Sequence, residues 1–126
     1  MKQADVLNSG FTTHYTKSKK EKLQEILNNP ASKLIAIDLD GTLCTGEFWG
    51  EGEPEPIKEM IAKVWEWYKK GAHIIIYTAR QPKYYTLTQA WLVKNEIPFH
   101  GIVMQQKPGA DCYIDDKSLN VDDIIL

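Results

Sequence analysis

Residues 34–43, LIAIDLDGTL, lead an apolar run into two carboxylates that are separated by a single residue. An apolar run without polar alternation is typical of a strand buried on both faces, as in a parallel sheet covered by helices. Because alternate residues of a strand point to the same side, Asp38 and Asp40 are expected on one side, about 7 Å apart. Gly41 allows the backbone to turn sharply after them.

The two neighbouring carboxylates repel each other, so a fold normally keeps them together with a cation or a shared proton. Mg²⁺ is the natural candidate, because this ion takes one or two carboxylates, keeps water ligands and accepts a phosphate oxygen from a substrate. A solvated acidic turn or a helix cap after a core strand is the alternative that this short motif leaves open.

Length and composition indicate one ordinary globular domain. The chain has 126 residues, of which 43% are hydrophobic and 25% charged, and this is the usual size and composition of a single domain. A net charge of -2 argues against a dedicated nucleic-acid binder. Residues 1–11 lack the apolar centre of a secretion signal, so we expect a cytoplasmic protein without a membrane span. Cys44 and Cys112 are expected to be reduced, buried packing residues.

Helical and strand patterns alternate along the rest of the chain. Predicted helices cover residues 18–28, which open with a capping box, residues 56–70, with Pro56 in the first turn, and residues 83–95. Further strands are predicted over residues 73–78 and 101–104 and just before Asp115. This alternation predicts an α/β fold, a doubly wound parallel sheet whose ligand crevice lies at the carboxyl ends of the strands.

Periodicity also predicts which helical side chains face the core. The second helix has apolar residues at helical spacing, namely Ile57, Met60, Ile61, Val64, Trp65 and Tyr68. The third has Tyr84, Leu87, Trp91 and Leu92. Residues 1–17 are interpreted as an irregular arm, and residues 121–126 as a short apolar tail that could add an edge strand.

Residues 44–54 form a glycine- and glutamate-rich loop that directly follows the first strand. We interpret this loop as a flap, because long loops in small domains tend to be functional. Its aromatic residues Phe48 and Trp49 either face a substrate or cover the edge of the core, and the sequence leaves both alternatives open.

Polar groups follow the other predicted strands. Thr78 ends the second strand, where its hydroxyl could hold a phosphate oxygen without adding charge. Arg80 could clamp an anionic substrate group, or could form an ion pair that fixes its loop. Lys107 and the carboxylates of Asp115 and Asp116 come near the fourth strand, so all these groups are expected at one edge of the sheet.

The run Asp-Leu-Asp-Gly-Thr-Leu after an apolar strand resembles the first signature of the haloacid dehalogenase superfamily, whose members are mostly phosphotransferases and phosphatases. Thr78, Lys107 and the pair Asp115 and Asp116 are similar to the remaining three signatures, in the same order. The resemblance covers residues 34–120. The last segment looks like that of small bacterial phosphatases of capsule and surface-polysaccharide biosynthesis.

The resemblance implies roles for individual residues. It implies that Asp38 is the nucleophile and Asp40 the general acid and base, with Thr78 and Lys107 completing the catalytic set. It implies a Mg²⁺ ion held by Asp38, the backbone carbonyl of Asp40, Asp115 and Asp116, the last through water unless it instead holds Lys107. The implied substrate-binding positions are Gly41, Thr42, Ala79 and Arg80. Two features depart from the family pattern: Gln106 replaces a common glycine, and the acidic pair lacks a spacer.

The implied function is that of a magnesium-dependent phosphomonoesterase that forms an aspartyl-phosphate. The gaps between signatures are short, so we expect a core of residues 33–126 without a large cap domain, preceded by an arm and short helix over residues 1–32. An open crevice suits a sugar phosphate or a phosphorylated saccharide intermediate. The alternatives are a nucleic-acid end phosphatase and a non-catalytic module that binds metal or phosphate. Closure of the crevice by a second subunit in a homo-oligomer stays open.

Overall fold

The computed structural model describes residues 2–6, 10–12, 18–45 and 52–115. The strands are β1 (Lys2–Val6), β2 (Gly10–Thr12), β3 (Leu34–Asp38), β4 (His73–Thr78), β5 (Gly101–Met104) and β6 (Cys112–Ile114). The helices are α1 (Lys19–Asn28), α2 (Lys58–Lys69) and α3 (Tyr85–Lys94), and a 3₁₀ turn (Pro82–Tyr84) leads into α3.

Strands β3 to β6 form one parallel sheet in the order β5-β4-β3-β6. The chain builds outward from β3 through β4 to β5 and then returns to the other side of β3. In open sheets of this kind the crevice lies where the strand order reverses, outside the carboxyl ends, which is here between β3 and β6. The predicted α/β fold with a Rossmann-like parallel sheet is confirmed at this level.

The core lies between this sheet and its helices. Apolar side chains of β3, β4 and β6 are buried, namely Ile35, Ile37, Ile74, Ile76, Cys112 and Ile114. The helices contribute Leu27, Met60, Val64, Trp67, Trp91 and Leu92. Full burial of such a side chain contributes about 1.5–3 kcal/mol, so the strand that carries Asp38 is held by the best-packed part of the molecule.

Helix α1 begins with the predicted capping box. Glu21 accepts a hydrogen bond from the Ser18 backbone N–H at 2.9 Å, and the Ser18 hydroxyl accepts one from the Glu21 N–H at 3.1 Å. Leu27 belongs to the main core. Helix α1 therefore packs against the core of the same chain.

The N-terminal residues differ from the sequence interpretation. Instead of an irregular arm, β1 and β2 pair antiparallel, with Lys2 opposite Thr12 and Val6 opposite Gly10. The prediction was wrong because it required sustained alternation of apolar and polar residues. A hairpin can instead be held by its ladder of backbone hydrogen bonds, which depends much less on side-chain pattern.

Helix α2 starts later and presents a different face than predicted. Pro56 is not in its first turn, since Ile57 is the N-cap and Pro56 forms an isolated bridge with Cys44. Trp67 is 2% exposed, whereas Tyr68 is 40% exposed. The buried positions Met60, Val64 and Trp67 follow the i, i+4, i+7 spacing. The predicted stripe shared Met60 and Val64 with this row, missed Trp67, and extended to one side of the row.

Helix α3 shows a similar rotation. The predicted inner residue Leu87 is 52% exposed, while the buried side chains are Thr88, Trp91 and Leu92. The first predicted turn is 3₁₀, with Pro82 at its start. Because this turn has three residues per turn rather than 3.6, the phase of the pattern shifts before α3 begins.

Three sequence predictions lie outside the described residues. They concern Phe48 and Trp49 in the flap, Asp116 in the acidic pair, and the tail at residues 121–126. The base of the flap is described. Thr45 N–H donates to the Glu55 carbonyl at 2.9 Å, and Trp91 Nε1 donates to the Pro54 carbonyl at 3.1 Å. The two ends of the loop are therefore joined next to β3.

We expect Leu92→Ala to lower the free energy of unfolding by about 2–5 kcal/mol, because it opens a cavity in the core. Leu87→Ala in the same helix is the matched control and should change it by at most about 0.5 kcal/mol. Urea unfolding followed by circular dichroism measures both. Equal losses from the two variants would contradict the observed orientation of α3.

Candidate active site

An open cavity of about 560 Å³ lies at the carboxyl edge of the sheet. Residues from the ends of all four parallel strands line it: Asp38, Tyr77, Thr78, Ala79, Gln105, Gln106, Lys107 and Asp115. Its volume is within the range of small-molecule sites. The cavity, called here the main cavity, therefore brings together five predicted site residues from separate segments of the sequence, namely Asp38, Thr78, Ala79, Lys107 and Asp115.

The turn after β3 separates the two aspartates that the sequence predicted side by side. Strand β3 ends at Asp38, and the Leu39 carbonyl then accepts from the Leu43 N–H at 3.0 Å. Gly41 has a φ of 85°, which closes this tight turn. Asp38 lines the main cavity, whereas Asp40 lines an adjoining side cleft. The extended alternation on which the expected common side was based stops at Asp38, and the two aspartates line adjoining spaces.

Asp40 is held by the guanidinium of Arg80. Arg80 Nη2 donates to Asp40 Oδ1 at 2.5 Å, and Arg80 Nε donates to Asp40 Oδ2 at 3.1 Å. The arginine side chain is 5% exposed and the carboxylate 33%. A bidentate pair fixes both distance and plane. Of the two predicted roles for Arg80, the structure shows the ion pair that fixes the loop.

Thr78 connects the two cavities. Its residue is 1% exposed, and its hydroxyl donates to Asp40 Oδ2 at 3.2 Å and accepts from the Arg80 N–H at 3.2 Å. Thr78 is among the residues that line the main cavity. In this state the hydrogen of its hydroxyl is used by Asp40, so a phosphate oxygen would have to compete for that hydrogen.

The Asp115 carboxylate interacts with the hydroxyl of Tyr77 and with the ammonium of Lys107. The Tyr77 hydroxyl donates to Asp115 Oδ2 at 2.7 Å, and Lys107 Nζ lies 3.9 Å from the same oxygen. Burial, and then the hydrogen bond to Asp115, raise the pKa of Tyr77 well above its ordinary value. Tyr77 therefore stays a proton donor at neutral and alkaline pH and keeps the carboxylate in one orientation.

Tyr113 fixes the segment that carries Lys107. Its hydroxyl donates to the Pro108 carbonyl at 2.7 Å and accepts from the Ala110 N–H at 3.1 Å. Lys107 Nζ lies 4.4 Å from the centre of the Tyr113 ring, a distance at which the ring attracts a cation. The ring packs edge-on against Tyr77 at 6.3 Å between centroids. Two tyrosines thus position the charged groups of the main cavity.

The chain after β5 turns directly into the cavity. Gln105 has a φ of 61°, and its N–H donates to the Thr78 carbonyl at 2.7 Å. Left-handed backbone at a residue other than glycine costs free energy and is concentrated at functional sites. This turn directs the following residues, Gln106 and Lys107, over the carboxyl end of β4.

The predicted substrate-binding residues do not all reach a cavity. Ala79 lines both the main cavity and the side cleft, and Arg80 lines the side cleft. Thr42 is fully buried, and its N–H donates to the Leu39 carbonyl at 3.3 Å. Gly41 serves the turn. Thr42 and Gly41 therefore shape the loop and line neither the main cavity nor the side cleft.

The carboxylates at the main cavity are possible ligands of Mg²⁺. Among residues 18–45 and 52–115, no group of three His, Cys, Asp or Glu side chains is arranged to hold a metal, and Asp116 lies outside the described part. Asp38 and Asp115 nevertheless share the main cavity with the single ammonium of Lys107. Mg²⁺ needs only one or two protein carboxylates besides water and substrate oxygens. The residues present therefore fit this ion.

Several residues at these cavities were missed by sequence reasoning. They are Tyr77, Gln81, Lys83, Tyr84, Gln105 and Gln106, and Tyr113, whose ring lies near Lys107, was missed as well. Their positions carried a usable signal, because each lies within about five residues of a predicted strand end. Their residue types gave no such signal. Tyrosine in a buried strand, for example, is normally interpreted as packing.

Comparisons with known proteins bear on the fold. No protein-family model and no curated protein matches the chain. Among solved structures, the chain is similar to a structural-genomics target from Vibrio cholerae, with a TM-score of 0.58 and 26% identity over 74% of this chain and 87% of that one. This similarity supports the α/β architecture. Among the described helices, none is both long and apolar enough to cross a membrane.

Both cysteines are buried, as predicted, and have weakly acidic thiols. Burial and, next, the nearby Asp40 carboxylate together raise the pKa of Cys44 from 9.0 to about 12. Burial also raises the pKa of Cys112 to about 11. Because the folded state holds these protons more tightly, their contribution to stability is complete below about pH 9 and is lost as the pH rises through these values.

We expect both thiols to react slowly with iodoacetamide at pH 8 in the folded protein. The thiolate is the reactive form, and the raised pKa lowers its fraction by about a hundredfold for Cys112 and by nearly a thousandfold for Cys44. Mass spectrometry of labelled peptides, with the urea-unfolded protein as reference, measures the ratio. Fast labelling of folded Cys44 would contradict its buried position beside Asp40.

Proposed function

We propose that the protein is a magnesium-dependent phosphomonoesterase that acts through an aspartyl-phosphate on Asp38. The observation that carries the proposal is the convergence of Asp38, Thr78, Lys107 and Asp115 on one cavity at the strand ends. Such a set combines a nucleophile, a hydroxyl, an ammonium and a second carboxylate. Phosphoryl transfer needs positioning and charge neutralisation, and these groups can supply both.

Asp38 is proposed as the nucleophile. Its carboxylate oxygen attacks phosphorus in line, and the bond from phosphorus to the ester oxygen breaks with its electron pair going to that oxygen. Water then attacks the phosphorus of the aspartyl-phosphate. Inorganic phosphate leaves, and the carboxylate of Asp38 is regenerated.

Repulsion between the substrate and the carboxylates must be overcome first. The described lining of the main cavity has two carboxylates and one ammonium group, so an arriving phosphate dianion meets a net negative wall. Lys107 can bind a phosphate oxygen, because Tyr113 and Asp115 hold its ammonium at the rim. This alone leaves an excess of negative charge, which favours a divalent cation as a further component.

Mg²⁺ would be held by Asp38 and Asp115, with Asp116 as a further candidate ligand. When bound, this ion neutralises phosphate charge and orients the phosphoryl group. Tyr77 would keep the Asp115 carboxylate aimed at it through the 2.7 Å hydrogen bond. Residues that hold a ligand in this way typically strengthen metal binding.

Asp40 is proposed to act first as the general acid and then as the general base. It gives a proton to the leaving ester oxygen and later takes one from the attacking water. Its contacts with Arg80 and Thr78 are those of the ionised, proton-accepting form. Donation therefore requires that protonated Asp40 release one of these hydrogen bonds, and Arg80 restores the carboxylate form when the proton has left.

The proposed substrate is a sugar phosphate or a phosphorylated saccharide intermediate. Between β3 and β4 the described residues contain one helix, α2, and between β4 and β6 they contain α3 after its 3₁₀ turn. The main cavity is open, and Lys107 at its rim keeps a side-chain exposure of 53%. An open entrance admits a substrate larger than its phosphate group.

We expect Asp38→Asn to lower phosphate release by at least about a thousandfold, since an amide cannot act as the nucleophile. The urea midpoint should stay close to that of the unchanged protein. Glu59→Gln is the control, because it also removes one negative charge but at an exposed position on α2. This variant should retain activity. The assay uses p-nitrophenyl phosphate with Mg²⁺, sugar phosphates and a 5′- or 3′-phosphorylated oligonucleotide.

Each alternative function gives a different result in this assay. No turnover of any ester by the unchanged protein would favour a binding module. Preference for the oligonucleotide, with strong loss of affinity at high salt, would favour a nucleic-acid end phosphatase. Full activity of Asp38→Asn would remove Asp38 as the nucleophile.

We expect EDTA to abolish phosphate release and added Mg²⁺ to restore it. Asp115→Asn should raise the Mg²⁺ concentration for half-maximal activity by about tenfold or more. It should also reduce the rise in melting temperature that Mg²⁺ causes in the unchanged protein, which is a readout independent of turnover. Glu59→Gln is again the control. Activity that persists in excess chelator would contradict the metal assignment.

A further inference from the structure

A side cleft of about 390 Å³ adjoins the main cavity. Its lining consists of Asp40, Ala79, Arg80, Gln81, Lys83 and Tyr84. Ala79 lines both spaces, so a ligand can extend from one into the other past a small side chain. The volume of the cleft is sufficient for a single small ring with its substituents.

We propose that the side cleft binds the leaving group of the substrate, and that this group is a monosaccharide that carries a carboxylate. The inference rests on the proposed function and deepens it. It concerns Gln81, Lys83 and Tyr84, which have no part in the transfer of the phosphoryl group described above.

The positions of the two aspartates indicate where the leaving group lies. In-line displacement puts the attacking oxygen and the leaving oxygen on opposite sides of phosphorus. Asp38, the attacking group, lines the main cavity, whereas Asp40, the proton donor, lines the side cleft. The ester oxygen that receives the proton must be within reach of Asp40. The group attached to that oxygen therefore extends into the side cleft.

The charge of the side cleft indicates what this group carries. Arg80 donates to both carboxylate oxygens of Asp40, so their charges compensate while Asp40 is ionised. In the described lining the ammonium of Lys83 then remains as the net charge, and the charge of Arg80 is added to it when Asp40 carries its proton. The phosphoryl group is already bound in the main cavity, so this positive charge is available to a carboxylate on the leaving group.

The side chain of Lys83 is positioned by the 3₁₀ turn to which this residue belongs. Lys83 Nζ lies 5.2 Å from the centre of the Tyr84 ring, within the range of a cation-aromatic attraction. Both residues belong to the 3₁₀ turn Pro82–Tyr84, whose first residue is a proline and is therefore fixed in φ. Gln81, next to the turn, adds an amide that can both donate to and accept from sugar hydroxyl groups.

The test compares galacturonic acid 1-phosphate with galactose 1-phosphate, which differ only by a carboxylate in place of a hydroxymethyl group. We expect the unchanged protein to have a kcat/KM about fivefold to tenfold higher for the acidic sugar, mainly through a lower KM, and to lose this preference at high salt. Lys83→Met should bring the ratio of the two kcat/KM values close to one. Lys83→Arg should retain most of the preference.

Lys58→Met, which removes an exposed lysine at the start of α2, is the matched control and should keep the preference of the unchanged protein. An equal ratio in Lys83→Met and the unchanged protein, or no preference in the unchanged protein, would overturn the inference while leaving the proposed phosphatase intact. Hydrolysis of p-nitrophenyl phosphate but of neither sugar phosphate would overturn it too. Failure to hydrolyse any of the three esters would overturn the proposed function, and the inference with it.

Discussion

Parallel pairing of β3 with β4 on one side and β6 on the other is the interaction on which the site depends. Ile37 pairs with Ile76 and with Ile114, and these three side chains are fully buried. A slip of one residue in either pairing would move each side chain of the shifted strand to the opposite face of the sheet. Both faces of β3 are packed, so such a slip would disrupt the packing of several side chains that contribute about 1.5–3 kcal/mol each. The core therefore fixes the positions of Asp38, Thr78 and Asp115 along the edge.

The fold keeps three carboxylates near one edge by giving each a different environment. Asp40 has the guanidinium of Arg80, and Asp115 has the Tyr77 hydroxyl and the ammonium of Lys107. Asp38 faces the main cavity beside Asp115. Different partners give carboxyl groups different tendencies to hold a proton or a cation. This division of environments is what a nucleophile, a proton carrier and a metal ligand would need.

The sequence predicted the sheet well and the details of its surroundings less well. Strands β3 and β4 were predictable because an unbroken apolar run bounded by polar residues has few other buried solutions. The faces of α2 and α3 were shifted, since periodicity does not show where a preceding turn sets the phase. The grouping of Asp38, Thr78, Lys107 and Asp115 followed from topology alone. The separation of Asp40 from Asp38 did not, because it depends on the tight turn at Gly41.

The position of β6 beside β3 has a consequence for the biogenesis of the protein. Leu34 and Asp111 are 77 residues apart, and Leu34 N–H donates to Asp111 Oδ2 at 2.7 Å. Contacts at such separation form late, because a long segment must first be ordered between them. During translation, β3 to β5 emerge from the ribosome before β6, which is the strand that pairs with the second edge of β3. Until then that edge of β3 is open to pairing with other nascent chains, so closure by β6 both protects the chain from aggregation and brings Asp115 to the site.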